Sequence, residues 1–326
     1  MSDFKWGILG SGNIARRFAE DLQLLENHSV SAVGSRTLDS ANAFAADFPG
    51  CIAFGSYEEL VKAEVDAIYV ATPHPMHLEN ALLAMRAGKP VLCEKAFTIN
   101  QPQAEILVQY SRENNIPLME AMWTRFLPHI HEIKKLITDG ALGQIHTVVA
   151  DHGQNIPYSR APRLWEPHLG GGALLDLGIY PLTIAHIVLG SPKTITAIAT
   201  LTDEQVDLNT SMILTYESGA HAMLSCTMAA RGSVSALIAG DKARLELDDY
   251  FFAPTSYRLI TTAGDVTEFP KNYQGVGLRE EAREFARVVQ SGEIESPLMT
   301  HETSIEMMAM MDEIRRQIGV AYPEQN

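Results

Sequence analysis

Cysteine is scarce in this chain of 326 residues, with Cys51, Cys93 and Cys226 the only three. An odd number with no CxxC spacing excludes a disulfide framework and a cysteine-rich metal centre, and it suits a reducing compartment. Positive charge is also short, 25 Lys and Arg against 40 Asp and Glu, for a net charge of −15. A field of that sign repels nucleic acid and anionic membrane surfaces, so neither is an expected partner; a small anion could still bind where donors line a cleft. No apolar run is read as reaching the roughly eighteen residues needed to span a bilayer. Residues Met1 to Lys5 lead straight into an apolar strand, with no basic segment and cleavable apolar stretch, so cytoplasmic residence is expected. Low-complexity tracts and short repeats are absent as well.

What remains, 46% hydrophobic and 20% charged residues, is the balance of an ordinary globular α/β protein, and the length favours two domains. The first third alternates short β-rich runs (Phe4 to Leu9, Val30 to Val33, Ala67 to Val70, Val91 to Cys93, Leu118 to Glu120) with helical patterns (Asn13 to Leu24, Thr37 to Phe48, His77 to Ala87, Gln101 to Asn114). That rhythm predicts a doubly wound parallel sheet over residues 1–122, because each crossover is long enough to return to the starting edge. A helix is predicted at Pro128 to Thr138. Longer alternating runs follow near Ile145 to Gln154, Ile195 to Leu201, Ser211 to Tyr216, His221 to Met228, Val234 to Ala239 and Ala243 to Leu247. With turn signals between several of them, they predict an α+β domain over 123–326 with a large, mostly antiparallel open sheet. Gly170 to Gly190 is expected to be helical inside it, with Leu278 to Gln290 and His301 to Gly319 as closing helices.

Gly10-Ser11-Gly12-Asn13-Ile14-Ala15 follows the first strand and opens the first helix, the context that makes GxGxx[GA] a dinucleotide loop. Gly10 permits the turn, Gly12 lets backbone N–H groups approach a pyrophosphate, and the helix N-terminus faces the anion. At the end of the second strand, where an NAD enzyme places a carboxylate on the ribose, the chain reads Gly34-Ser35-Arg36-Thr37. Ser35 and Arg36 suit a 2′-phosphate, so NADP is expected ahead of NAD.

In such a sheet chemistry collects beyond the carboxyl ends of the strands. Thr72-Pro73-His74-Pro75-Met76-His77 and Glu94-Lys95-Ala96 occupy two of those turns. Lys95 lies just past a buried strand end, where partial desolvation fits it for proton transfer or for polarising a hydroxyl. Further on, Gly170-Gly171-Gly172 precedes Asp176 and Tyr180, which stand four apart and would share a face of an α-helix, although Pro181 disturbs that helix. The eleven histidines show no metal spacing: His129 and His131 fall on opposite sides of a helix, and the following Glu132 lacks the second histidine of HExxH.

Taken together, the Gly10 loop, the Thr72-Pro73 turn with His77, the run Gly88 to Lys95 and the glycine-run helix with Asp176 resemble the glucose-fructose oxidoreductase and inositol dehydrogenase (Gfo/Idh/MocA) family over nearly the whole chain. Glu120 to Phe126 and Asp176 to Tyr180 look most like its dimeric dihydrodiol dehydrogenase and NADP-linked D-xylose dehydrogenase branch. The resemblance implies an N-terminal Rossmann domain and a hydride transfer between nicotinamide and a carbinol of a sugar, polyol or trans-dihydrodiol. It gives Lys95 and Tyr180 proton transfer, Asp176 substrate orientation, and Trp123, Arg125 and Phe126 the substrate pocket, with Trp165 and His168 beside them. It places Thr72, Pro73, His77, Glu94 and Lys95 at the cofactor, and it implies a homodimer or higher homo-oligomer formed through the C-terminal sheet. Ala96 stands where the family usually has proline, which leaves Lys95 less constrained by the backbone. Two other readings stay open: an NAD-dependent inositol-type dehydrogenase, disfavoured by tyrosine rather than histidine at 180, and a non-catalytic dinucleotide-binding regulator.

Overall fold

A computed structural model of the chain describes residues 3–323. In chain order its main elements are β1 (Phe4–Leu9), α1 (Asn13–Leu22), β2 (His28–Gly34), α2 (Leu38–Ala45), β3 (Ile52–Phe54), α3 (Tyr57–Leu60), β4 (Ala67–Val70), α4 (His77–Arg86), β5 (Val91–Glu94), α5 (Gln101–Asn114), β6 (Leu118–Ala121) and α6 (Pro128–Thr138). They continue with β7 (Ile145–Gly153), α7 (Ile179–Leu189), β8 (Thr194–Leu201), β9 (Asp207–Thr215), β10 (His221–Thr227), β11 (Ala236–Gly240), β12 (Ala243–Leu247), β13 (Tyr257–Thr261), β14 (Val266–Phe269), α8 (Leu278–Ser291) and α9 (His301–Ile318). The chain forms two compact units: residues up to Phe126 together with Gly275–Ile305, and Leu127–Gln274 together with residues from Glu306 on.

The first unit is built on a six-stranded parallel sheet in the order β3-β2-β1-β4-β5-β6. Strand order reverses beside β1, whose neighbours are β2 and β4, and this is where an open α/β sheet offers a crevice to a ligand. Trp6 of β1 meets Phe18 of α1 edge-on, and Phe18 stacks on Tyr69 of β4 with ring centroids 3.8 Å apart, so α1 is fixed over the strand it follows. Gly275–Ile305 belongs to this unit through a buried carboxylate. Asp21 of α1 accepts the backbone N–H groups of Val276 (2.9 Å), Gly277 (3.0 Å) and Arg279 (2.9 Å), capping the start of α8. The compact units therefore do not follow a single cut at 122/123. A bond spanning some 255 residues of sequence leaves no trace in local patterning.

The second unit carries an eight-stranded sheet in the order β14-β13-β12-β11-β7-β10-β9-β8, antiparallel at every pairing except β7 with β10. Helix α7 lies on β7 and β10. Two strands at one edge, β13 and β14, and the three-residue β3 of the first unit were not foreseen: β14 is largely exposed and β3 is too short to show a period. The expected helix over 170–190 is largely present: residues 173–189 are helical, opening with a π-turn (Leu174–Gly178) that runs directly into α7, and a 3₁₀ turn (Pro167–Leu169) precedes them. The expected α-helix is thus corrected at one point: Asp176 lies in a π-turn, with Tyr180 following at the start of α7. Pro181 is the third residue of α7 and directly follows the π-turn, so its missing N–H falls where the backbone bonding changes from i to i+5 to i to i+4. The expectation that no segment reaches membrane-spanning length is also corrected. Pro167–Leu189 is long and apolar enough by composition, yet it is mostly buried within the protein, as a core helix is.

Candidate functional site

In the first unit the sequence-predicted residues gather at the carboxyl ends of neighbouring strands. Gly10, at φ +109°, turns the chain after β1; its N–H donates to Gly34 O at 2.9 Å, which holds the turn after β1 against the end of β2. A Cβ on Gly10 would stand 2.9 Å from Ala71 O, so this glycine is required by the fold. Gly12 is different. It has ordinary extended backbone as the N-cap of α1, and a Cβ there would meet nothing within 4 Å among the described residues. The exposed space over Gly12, at the N-terminus of a ten-residue helix formed by Asn13 and Ile14 onward, is a cradle that the fold itself has no use for. The Ser11 and Ser35 hydroxyls lie 3.0 Å apart at the rim of this cradle, and Arg36 beside them is exposed. The residues present fit a dinucleotide.

Beyond β4 and β5 the turns are tied together by a single buried side chain. His77 Nε2 lies 2.8 Å from Thr72 O, and its Nδ1 lies 2.9 Å from Ala96 O and 3.3 Å from Phe97 O. Burial lowers the pKa of this imidazole, and the three carbonyls oppose that shift. Asn80 donates to the Thr72 hydroxyl at 3.1 Å, completing the support of the Thr72-Pro73 turn. On the far side, Glu120 accepts the N–H of Phe97 at 3.1 Å, and Glu94 accepts both the Lys95 N–H at 3.1 Å and the Tyr69 hydroxyl. Lys95 is half-buried while residues 91–94 and 96–99 around it are buried, and the Lys95–Ala96 peptide is cis. The chain around Lys95 is therefore fixed by side chains even with alanine at 96. Burial pushes the Glu120 carboxyl up to about 7, against the Ser304 hydroxyl, the Arg125 guanidinium and the Phe97 N–H. Trp123, Arg125 and Phe126 form one 3₁₀ turn after β6, and all three are buried.

In the second unit Asp176 sits in the π-turn and accepts Arg163 Nη2 at 2.8 Å, a partner that the sequence reading missed because Arg163 is thirteen residues away in an irregular segment. Tyr180 is buried at the start of α7. Its ring stacks on Phe252 at 4.3 Å and tilts against His152 at 5.3 Å, and His152 in turn stacks on Phe252 at 4.4 Å. His152 and Phe252 were also unforeseen, since they lie on β7 and in the loop after β12. Trp165 is half-buried and donates to Ile156 O at 3.2 Å, while His168 is exposed beside Glu166.

Comparison with known proteins agrees with these features. Residues 4–122 match the family model for an oxidoreductase family with an NAD-binding Rossmann fold, and residues 130–246 match the GFO/IDH/MocA C-terminal domain. The chain is 38% identical to the trans-1,2-dihydrobenzene-1,2-diol dehydrogenase of Danio rerio, over 98% of each chain. It is 34% identical to the D-xylose 1-dehydrogenase (NADP(+)) of Hypocrea jecorina, over 98% of this chain and 93% of that one. Among solved structures it resembles a 3-ketoreductase from Actinomadura kijaniata in complex with NADP and TDP-benzene, with 28% identity, a TM-score of 0.86, and coverage of 97% of this chain and 98% of the other.

Proposed function

Because the chain belongs to the GFO/IDH/MocA oxidoreductase family, we propose that it is an NADP-linked oxidoreductase acting on a carbinol of a diol, sugar or polyol. The observation that carries the reading is the turn after β1, where Gly12 leaves open a space that only a ligand requires. Relatives named for a trans-dihydrodiol and for D-xylose supply the substrate class.

In this reading the backbone from Gly10 through Ser11, Gly12, Asn13 and Ile14 holds the pyrophosphate, and Ser35 with Arg36 holds the 2′-phosphate, since the end of β2 offers no carboxylate to a ribose hydroxyl. Thr72, Pro73, Glu94 and Lys95 shape the nicotinamide end, and His77, buried among carbonyls, supports them from beneath. A nicotinamide held there would supply the hydride transfer. In the first unit Lys95 serves proton transfer and Trp123, Arg125 and Phe126 serve substrate binding; in the second, Tyr180 exchanges the carbinol proton, Asp176 orients the hydroxyl, and Trp165 and His168 serve substrate binding. Acid-base help of this kind contributes about 10² to 10⁴-fold.

Two further parts belong to the proposal. Ile198, Ile213 and Met223 are 72%, 52% and 46% exposed on one face of the second sheet, with Met223 paired opposite Ile213. An apolar row of this kind calls for a cover, and a second copy of the chain is the partner proposed; light scattering of the wild type and of Ile213→Glu tests it. The free cysteines, two of them buried, accord with cytoplasmic residence. The activity itself is tested by following the reduced-nicotinamide absorbance with NADP and a panel of trans-dihydrodiols, aldoses and polyols. Turnover of at least one diol or aldose is expected. Tight NADP binding without turnover of any of them would favour a non-catalytic regulator instead.

A further inference from the structure

The glycine turn ahead of Asp176 is pinned from several sides. Gly172 N–H donates to Leu164 O at 2.7 Å, Gly171 N–H to Glu166 O at 3.1 Å, and the Tyr322 hydroxyl to Gly171 O at 2.6 Å. These bonds join the stretch that carries Arg163, the partner of Asp176, to the start of the π-turn that carries Asp176 itself. At that junction lies Asp207, the first residue of β9 and fully buried. Its Oδ2 accepts the N–H of Leu174 at 2.8 Å and the Thr210 hydroxyl at 3.0 Å. Its Oδ1 has no hydrogen-bond partner among the described residues and fills the space where a Cβ on Gly172 would come within 2.1 Å of it. Gly172 is thus glycine both for its φ of +104° and to admit this carboxyl group.

We propose that Asp207 is a positioning residue for the reaction: by capping Leu174 it sets the start of the π-turn, and through that turn the placement of Asp176 and Tyr180. The inference rests on the roles given to Asp176 and Tyr180 above. The ionised carboxylate holds the Leu174 N–H more firmly than a neutral acid would, because a charged acceptor makes the stronger bond. The groups facing Asp207 are Arg315 of α9, which favours its charge, and Cys226 of β10 and Tyr322, which as neutral thiol and phenol leave it unopposed. Burial raises the Asp207 carboxyl to about 7, so its charge changes in the neutral range.

The test is the pH profile of kcat with NADP and trans-1,2-dihydrobenzene-1,2-diol or D-xylose, whichever the wild type turns over. For the wild type a limb rising with pH near neutrality is expected. Asp207→Asn keeps an acceptor for Leu174 without the charge, so it should lose that limb and fall roughly five- to tenfold in kcat at pH 8, the difference between a neutral and a charge-assisted bond. Its Kd for NADPH should not change. Thr210→Val preserves the buried shape and removes one bond to the carboxylate, so the limb should move up by about one pH unit or more, which keeps the test available if Asp207→Asn fails to fold. A wild-type profile in both variants would overturn the inference. If Tyr180→Phe also keeps full turnover, the underlying reading of Tyr180 fails; if Tyr180→Phe is inactive while both Asp207 and Thr210 variants match the wild type, this inference alone fails.

Discussion

Two glycines two residues apart should respond to alanine in opposite ways. At Gly10 the added Cβ meets the Ala71 carbonyl oxygen at 2.9 Å and its carbon at 3.1 Å, on a backbone with φ +109° that an L side chain rarely adopts. The conformational cost alone is about 1–3 kcal/mol, and the backbone after β4 must also shift. At about 2–4 °C per kcal/mol for a unit of this size, Gly10→Ala should lower the melting temperature by roughly 2–12 °C. At Gly12 the Cβ enters open space on ordinary backbone. Alanine is a poorer N-cap than glycine but restricts the unfolded chain, and the two effects, each about 0.4–1 kcal/mol, nearly cancel. Gly12→Ala should therefore melt within about 2 °C of the wild type. Its cost appears with the ligand: losing one amide bond to a charged oxygen is worth about 1.5–3 kcal/mol, or roughly ten- to hundredfold in Kd. Fluorescence titration with NADPH beside thermal melts of both variants decides it. Unchanged NADPH affinity in Gly12→Ala, or a loss of stability there equal to that of Gly10→Ala, would refute the argument that this space exists for a dinucleotide.

Three further outcomes are expected. Arg36→Ala should weaken NADPH about ten- to hundredfold while leaving NADH nearly unaffected, as read from the ratio of the two dissociation constants. His77→Phe leaves the carbonyls of Thr72 and Ala96 without their buried partner, so it should cost roughly 1–3 kcal/mol in thermal or urea unfolding and also reduce kcat; a drop in stability with kcat intact would show that the clamp does not position Lys95. Glu120 has its carboxyl raised to about 7 in the folded protein against about 4.3 in the unfolded chain, so between those values the folded state binds more protons. Its stabilising contribution is complete below pH 4 and is lost as pH rises through 7. Melting temperatures should fall across that window in the wild type and fall less in Glu120→Gln.

Local pattern revealed most of the first sheet, because its buried parallel strands are short apolar runs that alternate with helical patterns. Gly10, Gly12 and Lys95 stand out in the sequence because they sit just past strand ends, and Asp176 because it follows a run of three glycines. The residues that were missed act across long stretches of chain. Asp21 looks like a solvated helix charge until Val276 to Arg279 fold back onto it, and Asp207 looks like a turn residue until it is seen beneath Gly172. Arg163 and His152 carry no periodic signal, one in an irregular segment and the other on a strand where its face is not distinctive. The π-turn was read as α-helix because the two share apolar composition and differ only in how the backbone bonds close.

The most direct test of the account follows a substrate deuterated at the carbinol carbon through turnover with NADP. The account predicts that the label is recovered in the reduced nicotinamide with a primary isotope effect on kcat, and that Tyr180→Phe loses turnover while binding NADPH like the wild type. Label released to water, or a Tyr180→Phe enzyme that turns over at the wild-type rate, would contradict it.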